Sequence, residues 1–178
     1  RSTRGSGRRS NGDQRTRTTE EQTQDYPTRR TKVRITRDQM LIEMAITVSK
    51  RSTCRRKHVG AIIAIDGRVL SIGYAGSPAG TPHCDDDGHD CVIGPDGGCI
   101  RTVHAELNAI TFAAKQGIAL NGSVLYCTDS PCLNCAKAII NCGITEVRYL
   151  RRYRDTSGIE LLAEANVLST QVPYQGKF

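Results

Sequence analysis

Two short segments constrain this chain more than anything else in it. His104-Ala105-Glu106 opens one amphipathic stretch, and Pro131-Cys132-Leu133-Asn134-Cys135 opens another. Two cysteines separated by two residues at a helix start can direct both sulfurs at one ion, and a histidine from a neighbouring helix adds a third ligand. A fold that uses all three must bring the two helix starts together and leave one tetrahedral position open. Zinc with an open position activates a water. Hydrolysis of an amidine-like ring then needs a group that carries protons from that water to the ring nitrogen and the leaving amine, and Glu106 has this chemistry. Taken singly the pieces are ambiguous. An isolated CxxC is redox-active or structural, and an isolated HxE is helix surface or a core histidine.

The rest of the chain predicts a scaffold for such a meeting. Thr36 and Gln39 are spaced to close a capping box, and Met40, Leu41, Met44, Ala45 and Val48 keep to one face, so a helix is expected over 37–50. The β-branched run VGAIIAI at 59–65, the turn Asp66-Gly67 and RVLSIG at 68–73 predict a buried hairpin. Val103, Leu107, Ile110 and Ala114 make a helical stripe over 103–116, which Gly117 can end. SVLYCT at 123–128 reads as a strand. Ser130 and Pro131 suit the N-cap and first position of a helix that Gly143 ends, and EVRYL at 146–150 is the next strand. Ser157 and Glu160 can box a helix through Ala165, before a last short strand within 166–172. Helices between the later strands imply parallel pairing. The expected fold is α/β, in three layers, with a mixed five-stranded sheet flanked by helices.

At 178 residues the chain suits one domain. Its formal net charge of +7 is uneven: residues 1–34 hold ten Lys/Arg against four Asp/Glu, and the remainder holds fifteen against fourteen. Residues 1–34 are therefore expected to be a disordered basic N-terminal tail ahead of a domain at 35–178. A solubilising end, an oligomer contact arm and a nucleic-acid arm are its open readings. The nearly neutral body, with six Tyr and two Phe in the whole chain, lacks the positive track and stacking surface of a polynucleotide binder, so nucleic acid is not an expected partner. No run approaches the roughly 18 apolar residues of a membrane helix. No secretory signal opens the chain, and a cytoplasmic location without membrane contact is expected. Eight cysteines that cluster with His, Asp and Glu favour metal ligands in a reducing compartment over disulfides.

Together and in this order, H-x-E and P-C-x-x-C form the signature of zinc-dependent nucleobase deaminases. RSTCRRKHVGAIIA at 51–64, GYAGSPAGTPHC at 73–84, RTVHAELNAI at 101–110, SPCLNCAKAIINCGI at 130–144 and YRDTSGIELLAEA at 153–165 carry the likeness further. Over 36–172 the chain resembles the deoxycytidylate deaminase family, within the cytidine-deaminase-like superfamily. The resemblance implies that His104, Cys132 and Cys135 hold a catalytic Zn2+, that Glu106 shuttles protons, and that dCMP is converted to dUMP. It also implies a homo-oligomer, commonly a hexamer, activated by dCTP and inhibited by dTTP. The family usually reads Gly-Tyr-Asn-Gly where this chain has Ala75. An alanine side chain makes no hydrogen bond, so the choice among dCMP, CMP, dCTP and a modified dCMP stays open.

Cys84, Cys91 and Cys99 lie in a long polar loop between Tyr74 and Arg101. Related phage-type enzymes supply a further ligand at the place of Cys54, which implies a second, structural Zn2+ closed by four thiolates, with His83 or His89 as alternative ligands. Substrate contacts are expected among Ala75, Arg101, Ser130, Tyr153, Arg154 and Arg51, the last within a charge run that continues through Arg55, Arg56 and Lys57. Packing or solvated surface is the other reading of each. Cys127 and Cys142 fall in apolar patterns and read as packing residues. A redox protein, a non-enzymatic zinc protein and a deaminase of polynucleotides are the competing functions.

Overall fold

The computed structural model describes residues 34–174. The tail expected at 1–34 lies outside them, Arg34 apart. In chain order the elements are α1 (Arg37–Ser49), β1 (Gly60–Ile65), β2 (Arg68–Tyr74), α2 (Ala105–Lys115), β3 (Val124–Asp129), α3 (Leu133–Asn141), β4 (Glu146–Arg151), α4 (Ser157–Glu164) and β5 (Leu168–Gln171). They form one five-stranded sheet in the order β2-β1-β3-β4-β5. β1 is antiparallel to both β2 and β3, while β3, β4 and β5 run parallel. The expected mixed sheet is present.

Strand alternation explains why three layers form. Ala61 and Ile63 of β1, Leu125 and Cys127 of β3, and Val147 and Tyr149 of β4 face one side, where they pack with Ala105, Ala109 and Ala113 of α2, Ala136 and Ile139 of α3, and Leu162 of α4. Ile62, Ala64, Tyr126 and Leu150 face the other, against Leu41, Ile42, Ala45 and Ile46 of α1. β1 is thus covered on both faces, and its uninterrupted apolar run follows from that. Its hairpin partner differs from expectation. β2 is a sheet edge, and Val69 and Ile72 on it are exposed.

Thr36 and Gln39 do form the reciprocal capping box of α1. Three other boundaries move. Thr156, not Ser157, stands at the N-cap position of α4, without a side-chain capping bond, while Ser157 is its first residue and donates from backbone and hydroxyl to Asp155. α2 begins at Ala105, and α3 begins at Leu133 with Cys132 as its N-cap. Among the described residues, no helix is long and apolar enough to cross a membrane.

Candidate metal centre and active site

The N-cap positions explain how three ligands meet. His104 and Cys132 each sit in extended backbone just before a helix, and neither uses its side chain to cap. Both side chains are left free to turn toward the same point, and Cys135 follows from the first turn of α3. Ser130, whose propensity favoured the cap, instead accepts a hydrogen bond from the Tyr153 backbone N–H at 2.8 Å.

His104 Nδ1 lies 3.4 Å from Cys132 Sγ and 3.5 Å from Cys135 Sγ. Zinc bonds of about 2.0 Å to nitrogen and about 2.3 Å to sulfur place tetrahedral N and S ligands about 3.5 Å apart. The three atoms are therefore spaced as zinc ligands, and they lie within 4.8 Å of one another.

Close backbone approach holds both helices in place. Asn108 of α2 donates its amide to the Tyr74 carbonyl at 2.6 Å, and a Cβ at Gly73 would collide with the Ala105 carbonyl. On the other side, a Cβ at Gly158 would collide with the Pro131 carbonyl and come within 2.8 Å of the Cys132 carbonyl carbon. Only glycine lets α4 brace the segment that carries the cysteines. Gly158→Ala is expected to lower kcat/KM by about tenfold or more and stability by about 1–3 kcal/mol, read from steady-state rates and thermal melts. Unaltered kinetics would show that Pro131 and Cys132 tolerate the displacement.

Glu106 is 3% exposed, one residue beyond the start of α2. Burial pushes its carboxyl up to about 7, against the opposing pull of His104. His104 is raised to about 8, chiefly by its hydrogen bond with Cys132, against burial. The hydrogen bond from Cys135 pulls the Cys132 thiol down to about 4, while the same contact and burial push Cys135 up. One thiolate is ready for an ion, and the second thiol must give up its proton when the ion binds.

His104, Glu106 and Cys132 line a cleft, with Arg56, Lys57, Ala75, Asp129, Ser130 and Tyr153 among its walls. Of the substrate contacts expected from sequence, Ala75, Ser130 and Tyr153 are in the cleft. Arg154 lines a neighbouring hollow, where it stacks on Tyr153 at 4.7 Å and pairs with Asp96 at 3.0 Å. Arg101 lies outside the cleft lining, its guanidinium bonded to the carbonyls of Pro82 at 3.1 Å and Asp90 at 3.4 Å, where it ties the long loop. Arg51 is exposed after α1, away from the cleft lining, while Arg56 and Lys57 from the same run are part of it. Asp129 escapes a reading of the sequence altogether. Its one signal is an acid two residues before Pro131.

A second group of cysteines gathers beneath the long loop. Cys54 and Cys91 Sγ are 3.7 Å apart and Cys84 and Cys99 Sγ 3.8 Å apart, and all eight cysteines are free. Tetrahedral thiolates on zinc stand about 3.8 Å apart. Cys54, Cys91 and Cys99 share one ligand-sized space. Burial opposes the Cys99 thiolate, but hydrogen bonds from the Arg101 backbone, Cys84 and the Val92 backbone bring it down to about 7. His83 is bonded to Thr53 at 3.0 Å, and neither it nor His89 joins the group. Cys127 is buried in the core and Cys142 packs against it, as expected.

Comparison with known proteins places this arrangement. A family model for the cytidine and deoxycytidylate deaminase zinc-binding region matches residues 35–151. The chain is 41% identical over 140 residues to ComE operon protein 2 of Bacillus subtilis (strain 168), covering 78% of this chain and 72% of that protein. It is 34% identical over 148 residues to the deoxycytidylate deaminase of Enterobacteria phage T4, covering 64% and 77%. Among solved structures, the dCMP deaminase from the cyanophage S-TIM5 in complex with dCMP and dUMP superposes with a TM-score of 0.65 at 35% identity, covering 74% of this chain and 93% of that one.

Proposed function

This chain belongs to the cytidine and deoxycytidylate deaminase family, and from that premise we propose that it hydrolyses deoxycytidine 5′-monophosphate to dUMP and ammonia. The observation that carries the reading is the buried Glu106 carboxyl in one cleft with His104 and Cys132, behind which the buried Cys135 sulfur lies 3.5 Å from His104. Those three residues would hold a zinc ion, which supplies Lewis-acid activation of a water. Glu106 accepts the proton that this water loses as its oxygen bonds to C4 of the cytosine ring, and returns it to N3. A second proton passes through the same carboxylate to the exocyclic nitrogen, which leaves as ammonia when the C4–N bond breaks. Burial, which raises Glu106, makes it ready to carry a proton in both directions. Tyr153 stands in the wall of the same cleft.

The reading extends to the cysteine group. Cys54, Cys84, Cys91 and Cys99 would hold a second, structural zinc that fastens the long loop to the domain at 35–178, a role supported by the grouping of Cys54, Cys91 and Cys99 and by the 3.8 Å between Cys84 and Cys99, with Cys84 outside that group of three. Metal analysis of the reduced protein is expected to find two zinc ions per chain, and one ion would remove this site. By family likeness the enzyme is a cytoplasmic homo-oligomer, a hexamer, with dCTP activating and dTTP inhibiting.

Ala75 brings no hydrogen-bonding side chain to the cleft wall, so substrate choice is tested side by side. Ammonia release by the zinc-loaded protein is measured on dCMP, CMP, dCTP and deoxycytidine, with and without dCTP or dTTP as effectors. The expected result is the highest kcat/KM on dCMP, raised by dCTP and lowered by dTTP. Inactivity on every cytosine mononucleotide would overturn the assignment, and rates indifferent to both effectors would remove the regulation.

A further inference from the structure

The chemistry above leaves one buried acid in the cleft without a task. Asp129 ends β3 with 3% of its surface exposed. Its Oδ2 accepts from Arg151 at 2.9 Å and from the Thr128 hydroxyl at 3.2 Å. Its Oδ1 meets the Lys57 ammonium at 2.6 Å. A carboxylate removed from water needs such partners. The converse also holds. Lys57 is a long, freely rotating side chain, and the anchored acid fixes where its charge stands.

Lys57 is both held and reachable. Its ammonium lies 5.4 Å from the centre of the Tyr153 ring, and its side chain keeps 36% exposure. An ammonium has three donors, and the contact with Asp129 is an ion pair in which Oδ1 accepts no hydrogen bond. Besides His104, the basic side chains lining the cleft are Arg56 and Lys57. Arg56 is exposed, Arg154 is paired with Asp96, and Arg101 is bonded to loop carbonyls. Lys57 is therefore the cleft cation with a built position.

We propose that Asp129 is a positioning residue for nucleotide recognition: it holds the Lys57 ammonium in the cleft wall, where it meets the phosphate of the substrate. This rests on the reading of the cleft as a cytosine nucleotide site. Asp129 reaches the substrate through Lys57, so its loss falls chiefly on recognition of the anion, while its charge acts on Glu106 only as a minor influence behind burial.

The test uses the zinc-loaded full chain and two variants, Asp129→Asn and Lys57→Met. Each is expected to raise KM for dCMP by about tenfold or more with kcat within about threefold, to weaken inhibition by dUMP in parallel, and to leave kcat/KM for deoxycytidine unchanged. The double variant is expected to be no worse on dCMP than Asp129→Asn alone, because both changes remove one interaction. Equal losses on dCMP and deoxycytidine, or an unchanged KM for dCMP, would overturn the proposal. Should Asp129→Asn fail to fold, Lys57→Met decides alone, since it leaves Asp129 with Arg151 and Thr128. A wild-type protein inactive on every cytosine nucleotide defeats the parent reading and this one with it, whereas normal wild-type turnover with unchanged KM in Lys57→Met defeats the positioning role only.

Discussion

Glu106→Gln is expected to lower kcat on dCMP by about 10³-fold while zinc content and the melting temperature hold. The magnitude is that of losing a positioned acid-base group, typically about 10²–10⁴-fold. Glutamine keeps the shape of the side chain, but its amide cannot accept a proton from water and return it to the ring. Folding has little to lose, because burial already disfavours the charged form of this carboxyl, and a neutral amide carries no charge to be desolvated. A fall in kcat accompanied by lost zinc would point to damage at the ligands. Turnover unchanged by the substitution would strip Glu106 of its assigned role and leave the proton path without a carrier.

Cys135→Ala is expected to be more severe. Cys135 is fully buried, packs in the main core, and points its sulfur at His104. Two ligands make a much weaker site than three, so the variant is expected to lose one zinc ion per chain and to fall at least about 10⁵-fold in turnover, toward the uncatalysed rate. Atomic absorption and the ammonia assay read the two effects separately. Full zinc content with substantial activity would mean that the ion is held by some other set of side chains.

The two motifs were legible because metal ligation demands particular residue types at particular spacings, and spacing survives in a linear sequence. The sheet was legible for a related reason, since β1 is covered on both faces and must be apolar throughout. Local propensity misled at the start of α3, which begins two residues later than expected. Ser130 and Pro131 suit a helix start, yet Cys132 is still extended and stands at the N-cap, while the Ser130 hydroxyl is taken by the Tyr153 backbone N–H. Charged residues were the least legible. Arg101, Arg154 and Lys57 are alike as sequence, and only tertiary partners separate the one that ties a loop from the one that borders a hollow and the one that faces the cleft. Asp129 offered only its place two residues before Pro131, which says nothing of its partners. The exposed apolar residues of β2 were missed because a run of hydrophobic residues does not reveal which strand lies at the sheet's edge.

The spacing of the ligands along the chain carries a thermodynamic consequence. His104 is 28 residues from Cys132 and 31 from Cys135, with the whole of β3 between them. An ion gripped by all three is a removable cross-link around a central strand, and the unfolded chain cannot keep it without closing the same loop at an entropic cost. Resistance to heat should therefore climb with the free metal concentration, by about 1.4 kcal/mol for each tenfold rise once the site is saturated. Chelation of the ion is expected to lower the melting temperature together with the turnover.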